Sequence, residues 1–237
     1  TALCNMEKSG ISREKIRYLF GGDLLGQIVA TSFGVSELEI PLFGLYGACS
    51  TMGEALSLSA MTVGGGFADC VMAMASSHFA SAERRFPLAY GNQRPFSSTW
   101  TVTGCGSVLV GKRGLRDEKK SFRPMAQIAG ITTGRIVDME FRDSMNMGGA
   151  MAMAAVDTIL QNFRDLDVEP GWYDKIITGD LGSVGQKILF DFLEQAGFDV
   201  RGVHMDCGMT IFDSASQDTH SGGSGCGCSA VTFCSYI

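Results

Sequence analysis

The chain has 237 residues, 45% hydrophobic and 19% charged, enough for one large α/β domain or two closely packed halves. Its net charge of −6 argues against a nucleic-acid partner, which wants a basic face. No uninterrupted run of about 20 apolar residues reads as a membrane-spanning helix. The most apolar stretch, Ala48 to Met74, is broken by Glu54, by Gly64-Gly65-Gly66 and by Asp69, so it reads as buried interior. With 31 glycines and 5 prolines, the composition suits many tight strand-to-helix turns.

The chain opens with a helix ending at Gly10, an αL stop. Ile16 to Phe20 is a short apolar run closed by Gly21-Gly22-Asp23, hence a buried strand. Leu24 to Ser32 reads as a helix stopped at Gly34, and Pro41 to Gly44 as a strand. The turn Tyr46-Gly47-Ala48-Cys49-Ser50 follows, then a helix from about Thr51 to Val63. Cys70 to Ala75 is a strand ending at Ser76-Ser77-His78, and Thr101 to Val110 is another. Lys112 to Lys120 is a solvated linker. Beyond it come a strand at Ala126 to Ile131 and a helix at Gly148 to Phe163 whose Met147, Met151 and Met153 are core filler. A strand at Asp174 to Thr178 and a helix from Ser183 to Ala196, capped by Gly197, come next. A Gly-rich turn, Gly222 to Gly227, precedes a last apolar helix with no terminator. Both ends lie inside helices, and the chain is expected to be a piece of a longer one.

Eight cysteines are present, none in a Cys-x-x-Cys pair. Cys226 and Cys228 flank Gly227, poor spacing for zinc, so neither a metal site nor a disulfide is expected.

An internal repeat organises this pattern. Lys15 to Leu24 and Lys175 to Leu181 each run as a strand into Gly-Asp-Leu, then a helix carrying Gly-Gln (Gly26-Gln27, Gly185-Gln186). Further on, each half has a small-residue turn opening an apolar helix: Gly47-Ala48-Cys49-Ser50 and Gly222-Gly223-Ser224-Gly225. A duplication predicts an α/β fold of two similar halves about a pseudo-dyad, residues 1–111 and 125–237 joined by a linker at 112–124, with the helices after the two turns buried together at the centre.

Cys49 marks the centre of the candidate pocket. Thr51 and Glu54 have capping-box spacing, placing a helix start just after it. Helix N-terminal amides and the helix dipole favour a thiolate there, whereas burial opposes one. From spacing alone, Cys49 is either a nucleophile able to take an acyl group or a buried, inert thiol. A covalent cysteine needs a base and an oxyanion site. Of three histidines, His220 lies in the second half's turn and by the duplication faces Cys49. His78 ends a strand and either lines the pocket or is a hydrogen-bonded histidine at a dimer interface. His204 reads as structural. Asp180 ends a second-half strand where it can face the pocket, and Asp23, its counterpart, reads as a helix cap.

These residues carry a resemblance. Strand, Tyr-Gly-Ala-Cys-Ser, buried helix, and a second half ending in His220-Ser-Gly-Gly-Ser-Gly-Cys-Gly-Cys-Ser-Ala230 resemble the thiolase-like superfamily. Within it, Gly22-Asp23-Leu24-Leu25-Gly26-Gln27, Ala75-Ser76-Ser77-His78-Phe79, Ala82-Glu83-Arg84 and Thr101-Val102-Thr103-Gly104 are similar to the stage V sporulation protein AD family. The likeness implies the thiolase-like fold and places Cys49 on the superfamily's nucleophile. It departs at Thr178-Gly179-Asp180, where condensing enzymes have a histidine, and at His220, where thiolases have a cysteine.

The sporulation resemblance implies a protein that binds dipicolinic acid, free or as its calcium chelate, with no cofactor. It implies membership of a complex at the forespore or spore inner membrane that takes up and releases this compound. Association would be peripheral, with other complex subunits as partners, and the superfamily implies a homodimer through a strand near Cys70 to Ala75. Cys49, His78, Asp180, His220, Gly222 and Gly223 are the candidate ligand residues, with Arg84, Arg85 and Arg94 either a basic cluster near them or solvated surface arginines. An acyltransferase using Cys49 and a structural subunit with a vestigial pocket are the alternatives.

Overall fold

The computed structural model describes residues 1–80, 94–115 and 125–236. By contact the chain divides into two compact units. The first comprises residues 1–83, 102–129 and 225–237, the second 84–101 and 130–224. These bounds differ from the expected halves, because the last helix packs on first-unit strands.

In the first unit, a helix α1 (Ala2–Ser9) ends at Gly10 in the left-handed region, φ 71° and ψ 7°, as its sequence predicts. Strands β1 (Leu19–Asp23), β2 (Leu42–Gly44), β3 (Cys70–Ser77) and β5 (Gly104–Gly111) form one sheet in the order β2-β1-β3-β5. The β1–β2 and β1–β3 pairs are parallel and β3–β5 is antiparallel. Strand β3 is buried on both faces, which explains its unbroken apolar run. One face carries Leu19, Met72 and Met74 into a core with Ile11, Ile16, Val35 and Leu38. The other carries Phe20, Val71 and Ala73 against Ala55 of helix α3 (Thr51–Gly64).

Here the register differs from expectation. Gly21 and Gly22 lie inside β1 rather than in a turn after it. A side chain at Gly22 would overlap the Leu45 carbonyl oxygen, so glycine is needed for backbone approach in the strand. The helix expected over Leu24–Ser32 begins at Val29 as α2 (Val29–Val35), after a 3₁₀ turn at Gly26–Ile28. Gly34, expected as its stop, is a residue of that helix.

The last helix, α7 (Cys226–Tyr236), packs against β3, β5 and α3. Met52 of α3 meets Cys226 and Ala230 of α7 in one buried cluster with Ala75. The two helices that follow the small-residue turns are thus buried together, as the repeat predicts.

The second unit holds two short parallel pairs, β4 (Trp100–Thr101) with β8 (Gly223–Ser224) and β6 (Ile176–Thr178) with β7 (His204–Asp206). The strand expected over Thr101–Val110 is therefore split at Val102 and Thr103, one piece in each unit. Helix α4 (Met147–Leu166) starts on the Asn146 side chain, which accepts from the Gly149 amide at 2.9 Å. Helix α5 (Gly182–Gln195) crosses it where Gly148 and Gly185 touch backbone to backbone. Ala152, Val156, Phe163, Leu189 and Leu193 fill the interface, and Met151 packs against its margin.

The strand expected at Ala126–Ile131 does not form among the described residues; 125–142 is irregular. A strand needs a neighbour for its N–H and C=O groups, and no described strand pairs with this one. Residues from 130 onward instead follow α4 through side chains, with Asn162 donating to Thr132 and Arg135 gripping Asp157. No helix among the described residues is long and apolar enough to cross a membrane.

Candidate functional site

Cys49 sits in a single 3₁₀ turn, Ala48–Ser50, that leads into α3. Ala48 is held at φ 48°, a left-handed conformation that costs a non-glycine residue about 1 kcal/mol or more. That kink ends the chain's run from β2 and puts the Cys49 side chain at the helix entrance, half-buried. The capping box does not form. Thr51 is already helical, and its hydroxyl donates back to the Ala48 carbonyl at 2.8 Å, while the Ser50 hydroxyl donates to Gly47 O at 2.7 Å. The helix begins where the sequence indicates, but by tightening the preceding turn rather than by a side-chain cap.

Helix α7 packs on this turn within the first unit. The Ser77 hydroxyl donates to Val102 O at 2.6 Å and accepts from the Gly227 amide at 3.0 Å, and the Cys226 thiol donates to Ser76 O at 3.0 Å. A Cβ on Gly106 would lie 2.5 Å from Ala230 O, so glycine lets the helix backbone rest on β5. The Gly-Cys-Gly-Cys run is thus largely a packing device: Gly227 and Cys226 fasten α7 to the end of β3. His78 follows that strand end directly. It is exposed, and its Nδ1 accepts from the Ala80 amide at 3.1 Å.

Asp23 closes β1 fully buried. Its carboxylate accepts from the Leu25 amide and from the amide and hydroxyl of Thr31. Thr31 lies in the first turn of α2, so Asp23 caps that helix from eight residues away, a helix-cap role the sequence suggests by other geometry.

In the second unit, Asp180 is 4% exposed and accepts from the Ser224 hydroxyl at 3.2 Å. Gly222 and Gly223, just before Ser224 in sequence, are buried, Gly222 at φ 122° and Gly223 paired with Trp100. His220, at φ 51°, is held on both ring nitrogens. Nδ1 lies 2.8 Å from Pro95 O and 3.3 Å from Ser98 Oγ, and Nε2 lies 3.1 Å from Asp218 Oδ1. Ser221 N–H donates to Ser98 O, and Trp100 N–H donates to Gly222 O, both at 2.8 Å. The second turn is therefore laced to the segment Pro95–Thr101.

The residue that sequence reasoning missed is Asp206, 2% exposed at the end of β7. One carboxylate oxygen accepts from the Thr178 hydroxyl (2.7 Å) and the Leu181 amide (2.9 Å). The other accepts from the Gly182 (3.0 Å) and Met209 (3.2 Å) amides. The Ser221 carbonyl and hydroxyl take the Ser183 and Val184 amides. The first turn of α5 is thus supplied with acceptors from within the protein. A polar residue at a strand end followed by a short helix was the available signal. His204 stands next to this carboxylate, its Nε2 3.1 Å from Thr178 Oγ1 and its Nδ1 3.0 Å from Gln186 Nε2; burial holds its pKa below the usual imidazole value. Its expected structural role is what the geometry describes.

Of the basic cluster, Arg84 and Arg85 lie outside the described residues, as does the Ala82-Glu83-Arg84 motif. Arg94 is not a solvated surface arginine. Its side chain is 10% exposed, pairs with Asp218 at 2.9 Å and stacks 4.6 Å from the Trp100 ring centroid. No cluster of three or more His, Cys, Asp or Glu able to hold a metal occurs among the described residues.

Comparison with known proteins agrees with this architecture. Xanthomonas campestris OleA with bound lauric acid and lauroyl-CoA superposes at a TM-score of 0.64 with 12% identity, covering 97% of this chain and 70% of that one. The 3-oxoacyl-[acyl-carrier-protein] synthase III from Aquifex aeolicus VF5 gives 0.62 with 13% identity, over 96% and 70%. Likeness at such identity concerns the fold alone, which is thus the thiolase-like α/β fold. Stage V sporulation protein AD from Bacillus subtilis (strain 168) is 41% identical over 234 residues, which are 98% of this chain and 66% of that protein. This chain therefore spans just under two-thirds of that relative's length. The family model for stage V sporulation protein AD matches residues 1–237 throughout. Taken with the Cys49 turn and the buried α3–α7 pair, this match over the full sequence means that the chain belongs to the stage V sporulation protein AD family.

Proposed function

We propose that this protein binds dipicolinic acid, alone or as its calcium chelate, without chemical turnover, and serves uptake and release of that compound in a complex at the spore inner membrane. The observation that carries the choice of binding over catalysis is the state of the two groups expected to assist Cys49. Where condensing enzymes have a histidine, Asp180 is a buried carboxylate accepting from Ser224. The His220 ring is engaged by Pro95, Ser98 and Asp218. Neither position offers an imidazole with an unengaged ring nitrogen to move a proton. Family membership supports the sporulation setting.

A dianionic aromatic ligand wants an apolar slot, N–H donors and cations. Candidates fall in both units: Cys49 and His78 in the first, and Asp180, His220, Gly222, Gly223 and Arg94 in the second. Association with the membrane is peripheral in this reading, through partner subunits, and the protein acts as a homodimer. Equilibrium dialysis against dipicolinate, read by its ultraviolet absorbance, tests the reading. Saturable retention is expected, and Ala substitutions at single candidates decide which unit carries it. Equal ligand on both sides at millimolar concentration contradicts it and leaves the structural-subunit alternative.

One observation favours a second reading. The left-handed Ala48 lifts Cys49 at a helix entrance, the geometry of a nucleophile elbow, and an acyltransferase would use it. Incubation with acyl thioesters followed by intact-protein mass spectrometry separates the two. A stable acyl adduct, lost in Cys49→Ala, would establish the acyltransferase.

A further inference from the structure

The second unit contains two buried polar groups that its own hydrogen bonds leave unused. Arg94 Nη1 and Thr219 Oγ1 are both buried and have no hydrogen-bond partner among the described residues. Such orphans are uncommon in folded proteins, and a guanidinium N–H is a costly one to leave unmatched. The two residues stand on either side of Asp218. Arg94 Nη2 donates to the Asp218 carbonyl at 2.8 Å and to its carboxylate at 2.9 Å, and the Trp100 indole N–H donates to the same carbonyl at 2.8 Å. An open surface groove lies beside them, lined by Trp100, Thr101, Phe212, Gln217, Asp218 and Thr219, with Arg94 behind this lining.

We propose that this corner of the second unit is a binding site for a small planar carboxylic acid. Its carboxylate would be taken by Arg94 and Thr219, and its ring would lie against Trp100 and Phe212. The chemistry of the donors sets the class. A guanidinium fixed by stacking presents N–H groups in the plane a carboxylate matches, and a threonine hydroxyl adds a rotatable donor. The latch is Asp218, whose side chain is 81% exposed whereas that of the arginine it holds is 10% exposed. Outward rotation of this carboxylate, which also gives up its 3.1 Å contact with His220 Nε2, uncovers the cation, while the Asp218 carbonyl keeps Arg94 Nη2 and the indole in place. The site is argued from the second unit alone; with dipicolinate as its occupant, it also rests on the function proposed above.

Heteronuclear NMR of the full chain tests it, with benzoate and dipicolinate as separate probes. The indole N–H of Trp100 reports the site, and that of the exposed Trp172 serves as a control. Titration should move the Trp100 signal saturably. Arg94→Gln and Thr219→Val should each weaken binding, by about tenfold for the arginine, the scale of a hydrogen bond to a charged group. Asp218→Asn, which keeps the backbone contacts and removes the competing charge, should tighten binding. A Trp100 signal unmoved by either acid at millimolar concentration overturns the proposal, as does wild-type affinity in both Arg94→Gln and Thr219→Val. Dipicolinate bound with the Trp100 signal still refutes this site but leaves the proposed function standing. Benzoate moving Trp100 while dipicolinate binds nowhere supports the site and refutes that function.

Discussion

The turns at Cys49 and at His220 are alike in backbone and opposite in what holds them. Each carries a non-glycine residue in the left-handed region, Ala48 at φ 48° and His220 at φ 51°. On either side of Cys49 the hydroxyls close locally: Ser50 donates to Gly47 and Thr51 to Ala48. Around His220 they reach more than 100 residues away, to Pro95 and Ser98, and Ser221 supplies acceptors to the start of α5. The first turn is shaped to present a side chain at a helix entrance, the second to clamp backbone. A pair of turns that both presented catalytic groups would need the second ring released from its carbonyl and carboxylate, a release that the proposed binding role does not require.

The comparison can be broken at five points, taken from the largest expected effect to the smallest, with His220→Gly set beside its counterpart at Ala48. Gly106→Ala drives a methyl into the Ala230 carbonyl and lifts α7 from the sheet that supports the first turn. The urea midpoint should fall by the equivalent of about 3 kcal/mol. Asp206→Asn turns an amide NH2 toward two of the four donors that the carboxylate accepts from, and about 2 kcal/mol of stability should be lost in the same assay. Ala48→Gly relaxes the left-handed residue at the cost of a more flexible unfolded chain, so a net gain of about 0.5 kcal/mol is expected. His220→Gly, by contrast, relaxes the same strain but deletes the ring's bonds and should destabilise. The smallest effect is one of pH. Burial lowers the folded-state pKa of His204 below its ordinary 6.5, so the unfolded chain binds the proton more readily. Stability from this group is complete above about pH 6.5 and declines as pH falls through the lowered value. Urea titrations at neutral and mildly acidic pH should show that decline in the wild type and a smaller one in His204→Gln.

Much of this architecture is legible from local pattern. The αL glycine after α1, the helix beginning at Thr51 and the long strand at Cys70 follow from capping chemistry and apolar runs. What was not legible depends on distant partners. Gly21 and Gly22 read as a turn because nothing in sequence announces that Met74 closes on the first and the Leu45 carbonyl on the second. The segment at Ala126–Ile131 has strand composition, but a ladder forms only where an edge is offered. Asp206 gathers donors from Thr178, Leu181, Gly182 and Met209, and that convergence has no signature at any one position. Arg94 read either as part of a basic cluster near the candidate ligand residues or as a solvated surface arginine, because its stacking on Trp100 and its pairing with Asp218, 124 residues on, are tertiary facts. The turn at Cys49, by contrast, is announced by its own residues, and its place at the helix entrance is as expected.

Isothermal titration calorimetry of dipicolinate into the wild type and Cys49→Ala side by side tests the central claim most directly. The account predicts saturable heat from both proteins, with affinity in the variant lower by no more than a few-fold, because the thiol lines a ligand slot rather than reacting. Absence of heat from the wild type at millimolar dipicolinate would contradict it.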